Sequence, residues 1–346
     1  MLIGDLDTAV MMSGACGSSI GARQGGARVV WAANHVQRCI DIHEDNFPPD
    51  ECESVCQDLH LFNHAKMARH ELLLASPVCR VNSSASRPAR AKAAAAAKAK
   101  DPSKRKQGSP LASSHNSMGA LPWAVMDALE VNRPRYFALE NVSEWASEWP
   151  LYDLFIRMLR RLGYKITQQV LDARDFELDG GRFVPQQRAR LFVIGTLGRK
   201  PIRVRTPKHP ATWRPTPVLD FIDWDGGEWL DFAEAGGDKF RAQLKRAHSE
   251  FGGGPAFVNT VEHRPIYDAR VEPLRTMTTQ DQYRWVHRGR FKYPTAREGF
   301  NLMGFPADFK VPAHIERHRT IAWAMAGDAV SPPVMRVIVE TIRGAD

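Results

Sequence analysis

The sequence predicts an α/β fold, a doubly wound sheet of mostly parallel strands. Short runs of apolar and β-branched residues alternate along the chain with longer stretches of helical period. A turn rich in small residues also lies near the N-terminus, where a first strand would pass into a first helix. At 346 residues, the chain is long enough for one large domain and one smaller one.

The strands are predicted at four apolar runs, and helices between or after them. The strand runs are RVVWAA (28–33), ELLLA (71–75), RYFAL (135–139) and LFVIGT (191–196). The helical patterns are the segment from Gly14 to Gly25, LPWAVMDALE, LYDLFIRMLRRLG and the C-terminal TAREGFNLMGF and PPVMRVIVETIRG. Gly163 would end the third of these helices, because glycine is the usual residue just past a helix C-terminus.

Two segments interrupt this alternation. Residues 82–118 are rich in Ser, Pro and Lys, and the stretch from Arg87 to Lys106 holds eight basic residues and one acidic residue. We expect a mobile basic loop over 80–118, with a purely solvating low-complexity insertion as the alternative. From residue 198 the chain is rich in Pro, Arg and Gly, which predicts a small domain of short strands and loops over 198–290. Residues 291–346 would then return to the first domain, 1–197.

Charge and cysteine content narrow the class of protein. The formal net charge of +8 and a pI near 9.4 favour a polyanionic partner. Five cysteines are an odd number in a large chain, which favours reduced thiols in a cytoplasm over a disulfide framework. No apolar run approaches the roughly 18 to 20 residues that a membrane span needs, and the first residues lack the pattern of a signal peptide. We therefore expect a protein that binds a polyanion and is neither secreted nor in a membrane.

Cys79 is the candidate nucleophile. It ends the tetrapeptide SPVC, which follows the predicted strand ELLLA, and α/β sheets place their sites just past the carboxyl ends of strands. A buried apolar cysteine is the alternative. Because an ordinary thiol is mostly protonated at neutral pH, a reactive Cys79 needs cationic neighbours, for which Arg80, Arg188 and Arg190 are candidates.

Glu140 and the two arginines are expected near Cys79. Glu140 follows the strand RYFAL directly, as Cys79 follows ELLLA, although a helix cap or a solvated side chain is the alternative for a lone glutamate. Arg188 and Arg190 stand two positions apart in PQQRAR at the start of the strand LFVIG, so they would face the same side of that strand.

A nucleoside cofactor is one interpretation of the N-terminal turn SGACGSSIG, with Asp58 at the end of a predicted third strand. Zinc is a competing hypothesis for this region, because cysteines and histidines recur every four residues. The four are Cys52, Cys56, His60 and His64. The segment SVCQDLHLF favours a strand over the helix that a zinc stripe would need, so we expect no metal.

The order of these motifs along the chain is more specific than any one of them. The series SGACG, Asp58, SPVC, ENV, PQQRAR, RTMTTQ, REGFNLMGFP and GDAV resembles that of the DNA (cytosine-5) methyltransferase family, of bacterial or phage type. The resemblance covers nearly the whole chain apart from the basic loop and residues of about 200 to 270. It implies a Rossmann-like class I fold dependent on S-adenosylmethionine, with a smaller target-recognition domain at 198–290.

The resemblance also implies an activity and its catalytic residues. The activity would be transfer of a methyl group from S-adenosylmethionine to C5 of a cytosine flipped out of duplex DNA. Cys79 would bond to C6, Glu140 would act at N3, and Arg188 and Arg190 would bind the base's O2, a nearby phosphate or both. The basic loop would close over the flipped base and clamp phosphates.

The implied cofactor residues surround the N-terminal turn and the GDAV segment. They are Ser13, Gly14, Ala15, Gly17, Asn34, His35, Asp58, Asp328 and Ala329. The chain departs from the family pattern at two of these residues and at one neighbour: Asn34 replaces an acidic residue, Asp328 an asparagine and the adjacent Cys16 a usual glycine. The departures concern the cofactor and leave the four catalytic residues intact.

Two other functions fit the same motifs. An RNA cytosine-5 methyltransferase would use identical chemistry, and a catalytically inactive relative would bind DNA without methylating it. We expect a monomer in the cytoplasm of a prokaryotic cell or a phage-infected host. Its role would be restriction-modification, protection of phage DNA, or preparation of bases for further modification.

Overall fold

The computed structural model describes residues 6–77, 121–178, 180–206, 209–210, 213–260, 266–280 and 282–345. Cys79 and the predicted basic loop lie outside these residues. The described part of the chain forms a seven-stranded sheet and a five-stranded sheet. None of its helices is long and apolar enough to cross a membrane.

The large sheet is built mainly of parallel strands. Its strands are β1 (Leu6–Met11), β2 (Ala27–Asn34), β3 (Glu53–Cys56), β4 (Leu72–Ala75), β5 (Tyr136–Asn141), β6 (Tyr164–Asp172) and β7 (Ala189–Leu197). They lie in the order β3-β2-β1-β4-β5-β7-β6, and only β7 runs against its neighbours. The four predicted strands and the α/β fold are confirmed.

Helices cover both faces of this sheet. The described helices are α1 (Gly17–Gln24), α2 (Gln37–Asn46), α3 (Leu121–Asn132), α4 (Trp145–Glu148), α5 (Tyr152–Arg161), α6 (Asp238–Glu250), α7 (Ala296–Leu302), α8 (Ala313–Glu316), α9 (Arg319–Asp328) and α10 (Pro332–Arg343). Apolar residues of α1, α2 and α10 pack on one face of the sheet, and those of α3, α4 and α5 on the other. Successive side chains of a strand point to opposite faces, so each strand contributes apolar residues to the core on both sides of the sheet. The result is a Rossmann-like three-layer fold.

The small sheet consists of short antiparallel strands. They are β8 (Leu230–Asp231), β9 (Ala256–Asn259), β10 (Ile266–Asp268), β11 (Tyr283–His287) and β12 (Arg290–Lys292), in the order β10-β9-β11-β12-β8. One face packs against α6 through Val258 and Val286. The other face sends Phe257 and Trp285 into the same core as α1 and α10. The small sheet is therefore packed directly onto the large domain.

The last helices return to the large sheet. Helix α10 lies along α1, and three glycines of α1 and its C-terminal end allow the close approach. A Cβ atom at Gly21 would lie 2.5 Å from the carbonyl oxygen of Pro332, and one at Gly17 would lie 2.0 Å from that of Val330. This packing brings the GDAV segment next to the N-terminal turn.

Candidate active site

The predicted site residues that the structure describes gather at one edge of the large sheet. Strands β1 to β5 are parallel and all end at this edge, whereas the antiparallel β7 begins there. The N-terminal turn follows β1, Glu140 lies at the end of β5, and Arg188 and Arg190 lie at the start of β7. The topology thus places the ends of five strands and the start of a sixth side by side.

Glu140 and Arg190 form an ion pair at this edge. Glu140 lies opposite Phe192 in the β5–β7 ladder, and Arg190 is two residues before Phe192, so both side chains are on the same face. The distance between Arg190 Nε and Glu140 Oε1 is 3.3 Å. Glu140 is only 8% exposed. The predicted proximity of these two residues is present in the structure.

The carboxyl group of Glu140 lies in an environment that favours its protonated form. Burial raises the pKa of Glu140 above its ordinary value. The guanidinium groups of Arg190 and Arg188 and a hydrogen bond with Ser76 act in the opposite direction, without cancelling the effect of burial. A glutamate with a raised pKa holds a proton at a higher pH than an exposed one, which suits an acid that must donate near neutrality.

The segment that leads to Cys79 is tied to the end of β5. Asn141 Nδ2 donates a hydrogen bond to the carbonyl oxygen of Pro77 at 3.0 Å, while the Val142 amide donates to Asn141 Oδ1 at 2.8 Å. Cys79 follows Pro77 by two residues and lies outside the described part of the chain. The structure therefore shows where the SPVC segment begins, directly beside Glu140.

Arg188 has a different set of contacts from Arg190. Its guanidinium group donates to three backbone carbonyls, those of Met277 (2.9 Å), Gly327 (2.8 Å) and Ala329 (3.0 Å). Its backbone amide donates to Asp172 Oδ1 at 2.8 Å. Arg188 is 4% exposed and joins three distant segments of the chain. These contacts indicate that Arg188 holds the segments around the site in position.

A small cavity lies among these groups. Its lining residues are Glu140, Leu171, Ala173, Arg188, Arg190, Phe192, Val330, Ser331 and Val334. The cavity has charged groups on the β5 and β7 side and apolar groups on the α10 side.

The N-terminal turn has the backbone of a tight ligand-binding loop. Met12, Gly14 and Cys16 all have positive φ angles, of 57°, 52° and 74°. The Ser13 hydroxyl is buried and has no hydrogen-bond partner among the described residues. The space around Gly14 is open, since a Cβ atom there would come no closer than 4.0 Å to any other atom. An unsatisfied hydroxyl beside open space fits the polar end of a nucleoside cofactor.

Other predicted cofactor residues have distinct roles. Ala15 is buried. Gly17 provides close packing, because its Cα faces the Val330 carbonyl. The Asn34 side chain accepts a hydrogen bond from the Val36 amide at 3.0 Å, which engages its carbonyl oxygen at the start of α2.

His35, Asp58 and Asp328 are exposed at the same edge. The Asp58 carboxylate accepts a hydrogen bond from the His60 amide at 3.0 Å. Burial raises the pKa of the Cys39 thiol to about 12, and the nearby Asp328 carboxylate adds to that rise. Asp328 therefore lies near α2, and Ala329 is buried beside it.

The zinc hypothesis required a helical stripe that the structure does not contain. The predicted third strand is present as β3 but is shorter than expected, because it ends at Cys56 and turns replace the rest of SVCQDLHLF. The Cys52 thiol donates to the Glu53 carbonyl, and His64 Nδ1 lies 2.5 Å from Asp127 Oδ2. No group of three or more metal-binding side chains occurs within the described ranges.

Sequence reasoning missed two residues that organise the site, the partly buried Asp172 and the buried Gln186. Asp172 accepts the hydrogen bond from the Arg188 amide, and Gln186 bonds to the Leu302 carbonyl and the Met277 amide. The Thr276 hydroxyl donates to the Gln187 carbonyl at 2.8 Å. Tyr283 is fully buried, and its hydroxyl donates to the Arg275 carbonyl.

Comparison with known proteins gives consistent matches. The family model described as C-5 cytosine-specific DNA methylase matches residues 6–222 and 233–344. Type II methyltransferase M.NlaX of Neisseria lactamica is 25% identical over 240 residues, which cover 66% of this chain and 69% of that protein. Type II methyltransferase M.SsoII of Shigella sonnei is 25% identical over 242 residues, which cover 66% of this chain but only 58% of the relative.

Solved structures of other methyltransferases show the same fold. A DNA modification methyltransferase described as encoded within an E. coli prophage superposes with a TM-score of 0.66 and 20% identity, covering 99% of both chains. The S. pombe Dnmt2 methyltransferase superposes with a TM-score of 0.61 and 14% identity, covering 99% of this chain and 98% of its own.

Proposed function

The chain belongs to the C-5 cytosine-specific DNA methylase family, and from this premise we propose that the edge formed by β4, β5 and β7 methylates C5 of a cytosine flipped out of duplex DNA. Cytosine-5 methylation of DNA is the activity of the family. The observation that carries the mechanism is the meeting of the Glu140–Arg190 pair with the start of the SPVC segment, which Asn141 holds by its bond to Pro77.

Cys79 is proposed to start the reaction as a thiolate. C6 of cytosine is a poor electrophile until electron density is withdrawn at N3. The sulfur of Cys79 bonds to C6 while Glu140 delivers a proton to N3, so the electron pair displaced from the C5–C6 bond makes C5 nucleophilic. The raised pKa of Glu140 supports this role, since a protonated carboxyl is the form that can donate.

The rest of the reaction returns the enzyme to its first state. When bound, S-adenosylmethionine supplies an electrophilic methyl group on a sulfonium sulfur. C5 then carries both the methyl group and its original proton. A bound water is the proposed base that removes this proton, and the Cys79–C6 bond breaks as the C5–C6 double bond re-forms, which regenerates the thiolate. The proton on N3 returns to the Glu140 carboxylate, so that neutral 5-methylcytosine is released.

Arg190 and Arg188 are proposed to act differently. Arg190 contacts Glu140 and lines the cavity, so it is placed to orient the carboxyl group and to bind O2 of the base or a nearby phosphate. The Arg188 guanidinium bonds to three carbonyls, so it would act as a positioning residue that fixes the start of β7 against the GDAV segment.

The cofactor is proposed to lie across the ends of β1, β2 and β3. The unsatisfied Ser13 hydroxyl and the open space at Gly14 support binding of its amino-acid end at the N-terminal turn, near Asp328 and Ala329. Asn34, His35 and Asp58 would contact the ribose and adenine. Because the side-chain oxygen of Asn34 already accepts a hydrogen bond from the Val36 amide, the Asn34 NH2 group would contact the ribose.

The proposed role is that of a modification methyltransferase, which the Type II relatives and the prophage-encoded structural neighbour support. The test compares unmethylated duplex plasmid and transfer RNA as acceptors of tritiated methyl groups. The proposal predicts label in the plasmid that is lost in Cys79→Ala. Label in transfer RNA alone would favour the RNA alternative, and DNA binding without any label would favour an inactive relative.

A further inference from the structure

A buried ion pair joins the small sheet to the large domain. Lys292 ends β12, and Glu298 lies in the first turn of α7. Lys292 Nζ is 3.2 Å from Glu298 Oε1, and the two side chains are 0% and 1% exposed. Charged side chains are rarely buried this completely unless they are paired and hydrogen-bonded.

Every partner of this pair belongs to the same junction. Lys292 Nζ also donates to the carbonyl oxygens of Asp223 and Gly226. The Glu298 carboxylate accepts hydrogen bonds from the Asp223 amide at 2.8 Å and from the Thr295 amide at 2.6 Å. Three segments are thus held together: the chain entering the small sheet at 223–226, the strand leaving it, and the start of α7.

Stability alone is a weak explanation for such a pair. Removing two charges from water is costly, and packed apolar residues of similar size often stabilise a fold equally well or better. A buried pair with directed hydrogen bonds can also restrict the groups that it joins to one arrangement. The Lys292–Glu298 pair would in this way fix the position of the small sheet on the large domain.

The junction is linked to the active-site edge through α7 and α9. Gly299, beside Glu298, packs against Trp323 of α9, since a Cβ atom there would lie 3.2 Å from the Trp323 ring. Helix α9 ends at Asp328, and the carbonyls of Gly327 and Ala329 bond to Arg188. A shift of β12 relative to α7 would therefore change the distance between the small sheet and the Glu140 cavity.

We propose that Lys292 is a positioning residue for DNA, which keeps the small sheet at the distance from Glu140 at which a base flipped from bound DNA enters the cavity. This inference rests on the proposed function. It assigns Lys292 and Glu298 to the placement of DNA, at a distance from the reacting atoms. Loss of the pair should weaken productive DNA binding and relax the choice of cytosine, with the chemical step intact once the base is in place.

The test replaces Lys292 with methionine, which keeps the length of the side chain and leaves Glu298 bonded to two backbone amides. The matched control is Lys165→Met, which removes an exposed lysine of β6. Steady-state methylation of unmethylated plasmid gives KM and kcat, trapping on 5-fluorocytosine duplex gives the active fraction, and sequencing gives the methylated positions. Lys292→Met should raise KM for plasmid roughly tenfold, with kcat per active site within about twofold of wild type, and should widen the set of methylated positions.

The outcomes separate this inference from a purely structural role. A lower active fraction with unchanged KM and unchanged methylated positions would overturn it. If Lys292→Met does not fold, the double variant Lys292→Met with Glu298→Leu leaves no unpaired buried charge and should show the same rise in KM; an unchanged KM there would also overturn the inference. A wild-type protein that methylates no DNA would instead refute the proposed function.

Discussion

The Nε atom of Arg190 lies 3.3 Å from Oε1 of Glu140, at the meeting point of two antiparallel strands whose register puts both side chains on one face. The pair is almost buried and lines the cavity beside the SPVC segment. A carboxyl group in this position can hold a proton and is oriented by its neighbour. The predictions below test what each partner contributes.

Replacing Glu140 with glutamine should lower kcat by roughly 10² to 10⁴. Glutamine keeps the size of the side chain but cannot deliver a proton to N3. The measurement is methyl transfer to duplex DNA at saturating substrates. Glu130→Gln removes an exposed glutamate of α3 and should retain full activity. Equal rates for Glu140→Gln and wild type would remove Glu140 from the mechanism.

The pH dependence of stability should reveal the raised pKa of Glu140. The folded protein keeps the Glu140 carboxyl protonated at pH values where the unfolded chain has lost this proton. The contribution of Glu140 to the free energy of unfolding is therefore complete below the unfolded pKa and is lost as pH rises through the folded pKa. The free energy of unfolding of wild type should therefore fall, relative to Glu140→Gln, as pH rises above the ordinary glutamate pKa. Urea unfolding of both proteins at a series of pH values gives this difference, and a difference that is constant with pH would contradict the assignment.

Arg188 and Arg190 should separate into a structural and a catalytic residue. Arg188→Met leaves three carbonyls without their donor and should lower the free energy of unfolding by about 2 to 4 kcal/mol. Arg190→Met removes the ion pair with Glu140 at the cavity. It should lower the free energy of unfolding much less than Arg188→Met does, while strongly reducing methylation activity. Denaturant unfolding and methylation assays on the two variants make the comparison. Similar losses of stability in both would show that the division is wrong.

His43 should make the protein sensitive to mild acid. Burial, assisted by Arg23, lowers the pKa of His43 to about 3, and its ring bonds to Ser19 of α1 and Ser54 of β3. Because the pKa of His43 is lower in the folded than in the unfolded protein, neutral His43 contributes to the free energy of unfolding above pH 6.5. This contribution is lost as pH falls below 6.5, with a slope that approaches about 1.4 kcal/mol per pH unit. His43→Gln should show a flatter decrease in unfolding free energy between pH 7 and pH 5, and an equally steep one would contradict this.

Part of the site could be predicted from local sequence. Glu140 follows an apolar strand directly, so strand position placed it at the carboxyl edge of the sheet. Arg190 begins β7 and reaches the same edge only because that strand is antiparallel to β5, which strand position does not predict. The role of Arg188 could not be predicted in this way. Its partners are backbone carbonyls 89 to 141 residues away. Every residue type has a backbone carbonyl, so the sequence does not show which residues bind Arg188.

The fold shows the same limits. Helix α6 was missed because the glycines around it favoured loops, although Phe240, Leu244 and Ala247 have helical spacing and do face the small sheet's core. Strand β6 was missed because it lies at the edge of the sheet and several of its residues are exposed, Val170 among them, which weakens the apolar signal. The ion pair of Lys292 and Glu298 depends on tertiary packing and has no local signature.

The most direct test of the proposed mechanism is covalent trapping on duplex DNA that contains 5-fluorocytosine, with S-adenosylmethionine present. Fluorine at C5 cannot leave as a proton, so the bond between the enzyme and C6 persists. We predict an adduct that survives denaturation, contains the peptide with Cys79 and does not form with Cys79→Ala. An adduct that still forms in Cys79→Ala, or methylation of ordinary DNA by that variant, would contradict the account.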